Sequence, residues 1–352
     1  MIKAVCDVED YVTGVGYNGL EHQGFVHEVS KDYVFLEKCP TRGCRLLLAA
    51  KTIRQKQILP PNPFLKYAGG KRALVPQIAK YWKPYSDRRL VELFVGSAAV
   101  ALGLKPEKAL LNDLNPHLIN LHRWVQKGLE VKLETQNERA FYIEQRRKFN
   151  QLIKSGGEAS CEAAELLYYF NRTGFNGLMR FNSKGLFNVS FGKYKTTNCI
   201  TDFSPWQQAC DRWEFIFGRS VDVQCQPNDF IYADPPYDSV LEIPKNDAVE
   251  QMVLFPGFEA APKKGSGFTG YSGDRFDWKD QLNLAEQLAA HRGPALISNA
   301  ATPRILKLYE ELGFKIERVM EARNISCDAS DRKPVECVLA FKDSSEQAVV
   351  EK

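Results

Sequence analysis

Arg89-Leu-Val-Glu-Leu-Phe94 runs on into Val95-Gly96-Ser97-Ala98-Ala99-Val100, and a second apolar run, Ala109-Leu-Leu-Asn-Asp113-Leu-Asn115, follows a short way downstream. The first run reads as a buried strand, the glycine as a turn into a helix, and the second run as a strand that ends on an acid. Strand, glycine turn, helix, strand and terminal carboxylate is the βαβ layout of a nucleotide-type cofactor site, with Asp113 placed to bond ribose hydroxyls. The dinucleotide fingerprint G-x-G-x-x-G is not met, because Gly96 stands alone. That argues against NAD and leaves room for another adenosine-bearing cofactor.

A second strand-like run ends more abruptly: Asp229-Phe-Ile-Tyr-Ala-Asp234-Pro235-Pro236-Tyr237. Prolines cannot continue a central ladder, so Asp234 is expected where the strand gives out into a rim loop, the place where open α/β sheets bind ligands. A carboxylate and a rigid proline carbonyl there are suited to a nucleobase amino group. They accept its two hydrogens, draw the nitrogen towards tetrahedral geometry and free its lone pair, while Tyr237 offers a face for a planar base. Taken alone, the motif also reads as a strand followed by a turn, with Asp234 as turn former.

The rest of the chain supports an alternating pattern. Phe64-Leu-Lys-Tyr67-Ala68-Gly69-Gly-Lys71-Arg72 precedes an amphipathic segment to about Trp82. Its Gly-Gly-Lys turn suits an anion at a helix start, although an ordinary helix-start turn explains it equally well, and no phosphate-cradling P-loop spacing is present. Residues 116–170 read as mainly helical, and a further helix is expected from about Pro205 to Phe217. Asp277–Ala290 and Pro303–Leu312 read as helices, Gly293–Asn299 as a strand, and Phe314–Val319 with Val335–Phe341 as closing strands. Such alternation favours an α/β, doubly wound sheet.

Between the helical part and the acidic motif lies Phe170-Asn-Arg172-Thr-Gly-Phe175-Asn176-Gly-Leu178-Met-Arg180, continuing through Asn188 to Tyr194, with a hairpin-like turn at Asn182-Ser-Lys-Gly185. Amides and guanidinium forks suit base edges, and aromatics and Leu suit wedging between bases. From composition alone a glycine-rich surface loop with solvated charges is an equal reading. Residues 1–50 read as a small β-rich unit, 51–63 as a linker and 343–352 as a tail. His22, His27, Cys39 and Cys44 lack a strong ligand spacing, so no metal is expected. Residues 240–270 read as a long irregular loop, either a substrate-contact lid or a simple insertion.

Composition bounds the class. The net charge of +4 is mild, with basic residues clustered around Lys51–Lys56, Lys66–Arg72 and Arg172–Lys195. Nine scattered cysteines do not look like a disulfide framework, and neither a leader-like apolar run nor a membrane-spanning run is present, so a reduced cytoplasmic compartment is the expectation.

With these residues in view, the chain resembles the DNA adenine-N6 methyltransferases of the alpha group. The resemblance runs from about Phe64 to Phe341. It rests on Lys66-Tyr-Ala-Gly-Gly-Lys71, Glu92-Leu-Phe-Val-Gly-Ser97, Asn112-Asp-Leu-Asn-Pro116, Phe170-Asn-Arg-Thr through Phe191-Gly, Asp234-Pro-Pro-Tyr237 and Leu296-Ile-Ser-Asn299, in the family's order. It implies a sheet of the S-adenosylmethionine-dependent methyltransferase type with an inserted helical and hairpin recognition region. In that scheme 64–120 is the cofactor part, 121–200 the target-recognition region and 201–342 the catalytic part. It also implies S-adenosylmethionine as methyl donor and adenine in double-stranded DNA as acceptor, extruded from the stack, at GATC or a related site.

Carried over, Tyr67, Ala68, Gly69 and Lys71 line the methionine and sulfonium end, Phe94 and Gly96 form the floor, Asp113 takes the ribose, and Asp202 with Phe203 borders the cofactor's adenine. Asp234, Pro235, Pro236 and Tyr237 hold the target base, with Asp234 also bordering the cofactor, while Arg172, Phe175, Asn176, Leu178, Arg180 and Asn188 face DNA, with Arg180 foremost for guanine. Ala98 stands where a glycine is common and Ser190 where a proline is common. A monomer is expected, and the resemblance leaves room for a cognate restriction endonuclease. Two other readings stay open: the same fold acting on RNA or another planar amide, and a DNA-binding relative without turnover.

Overall fold

The computed structural model describes the backbone of 11–15, 21–29, 33–36, 46–49 and 55–57, and residues 61–133, 136–238, 276–321 and 335–343 in full apart from the Val335 side chain. The 240–270 segment, Cys39, Cys44 and the tail beyond Asp343 lie outside the described residues.

Two compact units are present, Met1–Pro61 and Asn62–Lys352. In the first, strands β1 (Tyr11–Val15), β2 (Glu21–Val29), β3 (Tyr33–Leu36), β4 (Leu46–Ala49) and β5 (Gln55–Gln57) form one sheet in the order β4-β3-β2-β1-β5. The fifth strand falls in the stretch read as a linker. It pairs antiparallel with β1, Tyr11 opposite Gln57, so the chain turns back onto the sheet before leaving the unit.

The second unit is built on seven strands: β6 (Leu90–Glu92), β7 (Ala109–Asp113), β8 (Trp213–Phe217), β9 (Phe230–Ala233), β10 (Pro294–Ala300), β11 (Lys315–Glu321) and β12 (Val335–Asp343). Their order is β11-β12-β10-β9-β6-β7-β8. The five strands from β10 to β8 are mutually parallel, and the β11–β12 hairpin closes one edge antiparallel. The central strands are apolar without a polar alternation because both faces are covered. Leu90, Leu111, Phe230 and Tyr232 pack with Ile78 and Trp82 of α1 (Val75–Trp82) and with α2 (Ala99–Leu104). Their neighbours Val91, Leu110, Ile231 and Ala233 pack on the opposite face with α7 (Trp278–Ala290) and α8 (Pro303–Glu311).

One expected helix is corrected. The stretch from Pro205 to Phe217 divides into a short helix, α6 (Ser204–Ala209), and the edge strand β8. Trp213-Glu-Phe-Ile-Phe217 alternates buried and more exposed positions, and its aromatic and β-branched residues suit a ladder beside β7 better than a helix face.

Helices α3 (Pro116–Gln126), α4 (Arg139–Lys154) and α5 (Cys161–Thr173) make a third apolar cluster with Phe170, Met179, Phe187 and Val189. The hairpin is present: Phe181 pairs with Phe187, and the Asn182 carbonyl accepts from Gly185 N–H at 2.8 Å. Helix α4 holds it from behind. Asn150 bonds both the N–H and the carbonyl of Phe187 (2.8 and 3.1 Å), and Tyr142 and Arg146 donate to the Val189 carbonyl at 3.0 and 2.9 Å.

Strand β9 is entered through a buried carboxylate. Asp229, 2% exposed, takes two hydrogen bonds from Arg89 (3.0 and 2.6 Å) and one from the Gln226 N–H at 2.6 Å. Asp229→Ala strands the guanidinium and this N–H, so denaturant unfolding should show a loss of about 2–4 kcal/mol.

Candidate active site

After β6 the chain returns to pair β7 and then β8 on one side, and β9 is laid down on the other side of β6. The carboxyl ends of β6 and β9 therefore lie side by side at the point where the strand order reverses. Ligands of open α/β sheets bind there. Leu93 N–H donates to the Tyr232 carbonyl at 3.1 Å, which fixes the Phe94–Ala98 loop against the Asp234 loop.

The Phe94–Ala98 loop is drawn tight. Gly96 has φ +48°, its N–H donates to Asp113 Oδ2 at 3.0 Å, and its carbonyl lies 2.8 Å from His122 Nε2. A Cβ at Gly96 would come within 2.8 Å of the Tyr67 ring, so the missing side chain is what lets ring and backbone meet. Ala98 sits in the left-handed region, φ +57°, as the residue before α2. Asp113 also accepts from the Asn115 N–H at 3.0 Å, so it holds the loop as well as the start of α3. Burial pushes its carboxyl above the usual range, with these N–H groups pulling the other way. Tyr67 O accepts from Gly70 N–H, and Gly69 at φ +77° supplies the turn that this bend requires.

Across the switch point, Asp234 is held on both oxygens. Oδ1 accepts from Ser298 at 2.7 Å, and Oδ2 lies 3.1 Å from the Lys71 ammonium. Lys71 also lies 3.2 Å from Glu321 at the end of β11 and 4.5 Å from the centre of the Tyr237 ring, and the Tyr237 hydroxyl donates to Glu321 at 3.2 Å. Burial acts to lower the Lys71 pKa, but Asp234 and Glu321 together outweigh it and the net direction is up. Burial pushes Asp234 up, and Lys71 and Ser298 offset only part of that.

The proline pair is fixed by an amide chain. Gln281 donates to the Pro236 carbonyl at 2.8 Å, Asn299 donates to Gln281 at 2.9 Å, and Asp238 N–H donates to Asn299 at 3.0 Å. Among the described residues none donates to the Pro235 carbonyl. Pro235 is buried and Pro236 exposed.

Several expected site residues thus come together: Tyr67, Ala68, Gly69, Phe94, Gly96 and Asp113 around one loop, Asp234 to Tyr237 beside it. The Lys71 ammonium is turned to two carboxylates, Asp234 and Glu321. This placement neutralises buried charge. Asp202 and Phe203 stand at the start of α6. Asp202 is exposed and accepts from Ser204 N–H at 2.9 Å, while Phe203, 3% exposed, packs edge-on against Phe64 and Tyr168.

On the recognition side Phe175 and Arg180 are exposed, and Asn188 accepts from Arg180 Nε at 2.9 Å, aiming the guanidinium. Asn176 takes φ +52° in the turn between them, and Leu178 is half-buried against the third cluster. Arg172 is turned inward, donating to the carbonyls of Phe64 and Asn198. In this position it is a strut between the Phe64 and Asn198 segments.

Sequence reasoning missed Glu321, Gln281 and Asn171. Asn171 is fully buried and bonds Lys66 N–H and carbonyl (2.9 and 2.7 Å) and the Gly177 carbonyl (2.8 Å), tying the Tyr67 turn to the recognition segment. Its position inside Phe170-Asn-Arg-Thr was the available signal, and Glu321 had none.

The model of the D12 class N6 adenine-specific DNA methyltransferases matches residues 67–246, which span both halves of this site. The chain belongs to that family. It is 31% identical over 315 residues to the DNA N-6-adenine-methyltransferase of Escherichia phage P1, covering 85% of this chain and 38% of that protein. It is 32% identical to a DNA adenine methylase of Vibrio cholerae, covering 79% of this chain and 95% of the relative. A DNA adenine methylase of Haemophilus influenzae is 33% identical, with 82% and 97% covered. Membership makes the chain a DNA adenine methyltransferase whose methyl donor is S-adenosylmethionine.

The loop fits that cofactor: a bare glycine backbone at Gly96 against the Tyr67 ring, a carboxylate at the end of β7, and Glu92 with Oε1 buried and unbonded among the described residues. Among the described residues no His, Cys, Asp and Glu cluster suits a metal, and no helix is long and apolar enough to cross a membrane.

Burial, aided by the nearby Asp234, raises Glu92 from 4.5 to about 8. The folded protein holds this proton where the unfolded chain has released it, so the associated stability is lost as pH rises from about 4.5 through about 8. Glu92→Gln should remove that part of the decline, seen as a flatter dependence of unfolding free energy on pH in denaturant titrations.

Proposed function

We propose that this enzyme methylates N6 of an adenine extruded from duplex DNA at GATC or a related site, with Asp234 and the Pro235 carbonyl as acceptors for the target amino group. The observation that carries the reading is the position of Asp234 at the strand-order reversal, beside the Gly96 loop, with the backbone just after it fixed at Pro236 and Asp238 by the Gln281–Asn299 amide chain.

Tyr67, Ala68, Gly69, Phe94 and Gly96 hold the methionine portion of the cofactor and Asp113 its ribose hydroxyls. When bound, S-adenosylmethionine supplies a methyl group activated by a positively charged sulfur. Asp234 and the Pro235 carbonyl take the two amino hydrogens, localising the nitrogen lone pair towards that methyl group. The Tyr237 ring, with Lys71 near its face, gives the extruded base a surface to stack on, which offsets the few kcal/mol that extrusion costs. After transfer the nitrogen carries a surplus proton, and Asp234 is the base within reach. No metal and no covalent enzyme intermediate enter this scheme.

Arg180, aimed by Asn188, reads guanine in the major groove, with Phe175, Asn176 and Leu178 beside it. Duplex DNA is the partner this requires. The enzyme works as a monomer in the reduced cytoplasm, and the scheme holds with or without a cognate restriction endonuclease.

Asp234→Ala should abolish methyl transfer to duplex DNA, followed with labelled cofactor, while equilibrium cofactor binding stays largely intact. Near-normal turnover would refute the role. Arg180→Ala should cost about 1–3 kcal/mol of discrimination at one guanine, read as the ratio of kcat/KM between the cognate duplex and duplexes altered at single positions. An unchanged ratio would remove Arg180 from sequence reading.

A further inference from the structure

We propose that Glu321 is a positioning residue of the methyl-transfer step, a second seat for the Lys71 ammonium that lets Lys71 leave Asp234 when the target amino group arrives. The inference rests on the reading of Asp234 as the amino-group acceptor.

With Ser298 on Oδ1 and Lys71 on Oδ2, neither oxygen of Asp234 is without a partner. An incoming NH₂ needs one of them. Ser298 is fully buried and its oxygen lies 3.0 Å from the Tyr232 hydroxyl, so it is locked in place. Lys71 is the partner with somewhere to go, because it stands almost equally far from Asp234 and Glu321, 3.1 and 3.2 Å. Both carboxylates are largely shielded, with side chains 17% and 13% exposed, and that of Lys71 is 7% exposed.

An ammonium so buried cannot simply be set free. Leaving it unpaired costs several kcal/mol, which would oppose binding of the base. With Glu321 in reach, Lys71 shifts its pairing by a small side-chain movement and stays compensated. It also keeps its bond to the Gly69 carbonyl at 2.7 Å. Two carboxylates sharing one ammonium give this pocket a negative balance, which suits a site that receives a cationic methyl donor. Glu321 fixes Tyr237 at the same time through the phenol hydroxyl, so the acceptor and the stacking surface answer to one side chain.

The test is a set of single-turnover methylation assays with adenine-containing duplex DNA and saturating S-adenosylmethionine, on the full chain, at a temperature where circular dichroism shows every variant folded. Glu321→Gln, which keeps shape and removes the charge, is expected to lower the transfer rate about tenfold or more, with the cofactor dissociation constant changed less than about threefold. Glu321→Asp should recover a substantial part of the rate. A Glu321→Gln rate within about twofold of the parent overturns the proposal. If Glu321→Gln lowers the melting temperature too far for use, Glu321→Asp alone decides: a loss confined to the rate supports the proposal, and a loss confined to cofactor binding or no loss overturns it. Asp234→Ala runs alongside. Parent-like turnover there sinks the underlying reading, whereas an inactive Asp234→Ala with an unaffected Glu321→Gln sinks only the role of Glu321.

Discussion

The parallel pairing of β6 with β9 is the constraint on which the site depends. Leu90 opposite Phe230, Val91 opposite Ile231 and Glu92 opposite Tyr232 fix the register. That register brings the ends of the two strands level, so the glycine loop after one and the acid-proline loop after the other share a single mouth. A slip of one residue would turn the core faces over, setting Val91 and Ile231 into the layer shaped for Leu90 and Phe230. Because both faces are buried, the hydrophobic effect specifies the site geometry as strictly as it specifies the fold.

Around that mouth the protein tolerates an unusual density of buried polar groups, and each has a stated reason. Asp113 and Asp234 are carried by N–H, hydroxyl and ammonium donors. Glu92 escapes the cost of a buried charge by staying protonated over much of the neutral range. His122, 3% exposed, is held neutral by burial, its pKa lowered to about 4, and anchors the Gly96 carbonyl. The Ala98 backbone adds conformational strain of about 1–2 kcal/mol, set against a methyl group buried in the core.

Much of this was legible in the residues. Apolar runs ending in Asp113 and Asp234, the lone Gly96, the helix signals of 277–290 and 303–312 and the turn at Asn182–Gly185 all point to local causes, namely period, capping and turn chemistry. What escaped was non-local. Trp213–Phe217 became a strand because β7 offers it an edge, and Gln55–Gln57 because β1 does. Lys71 turned to carboxylates that come from β9 and β11, far apart in the chain, and Phe203 found three rings to pack among. A single sequence records the chemistry of each group but not which distant group will stand next to it.

The hairpin that carries Arg180 is fastened through main-chain atoms: Asn150, Tyr142 and Arg146 grip Phe187 and Val189 by N–H and carbonyl, indifferent to what side chains the outer face displays. The hold on the hairpin from α4 thus does not depend on the Arg180 side chain. On the proposed reading of Arg180, such a mount lets exterior residues be exchanged while the scaffold beneath stays as it is.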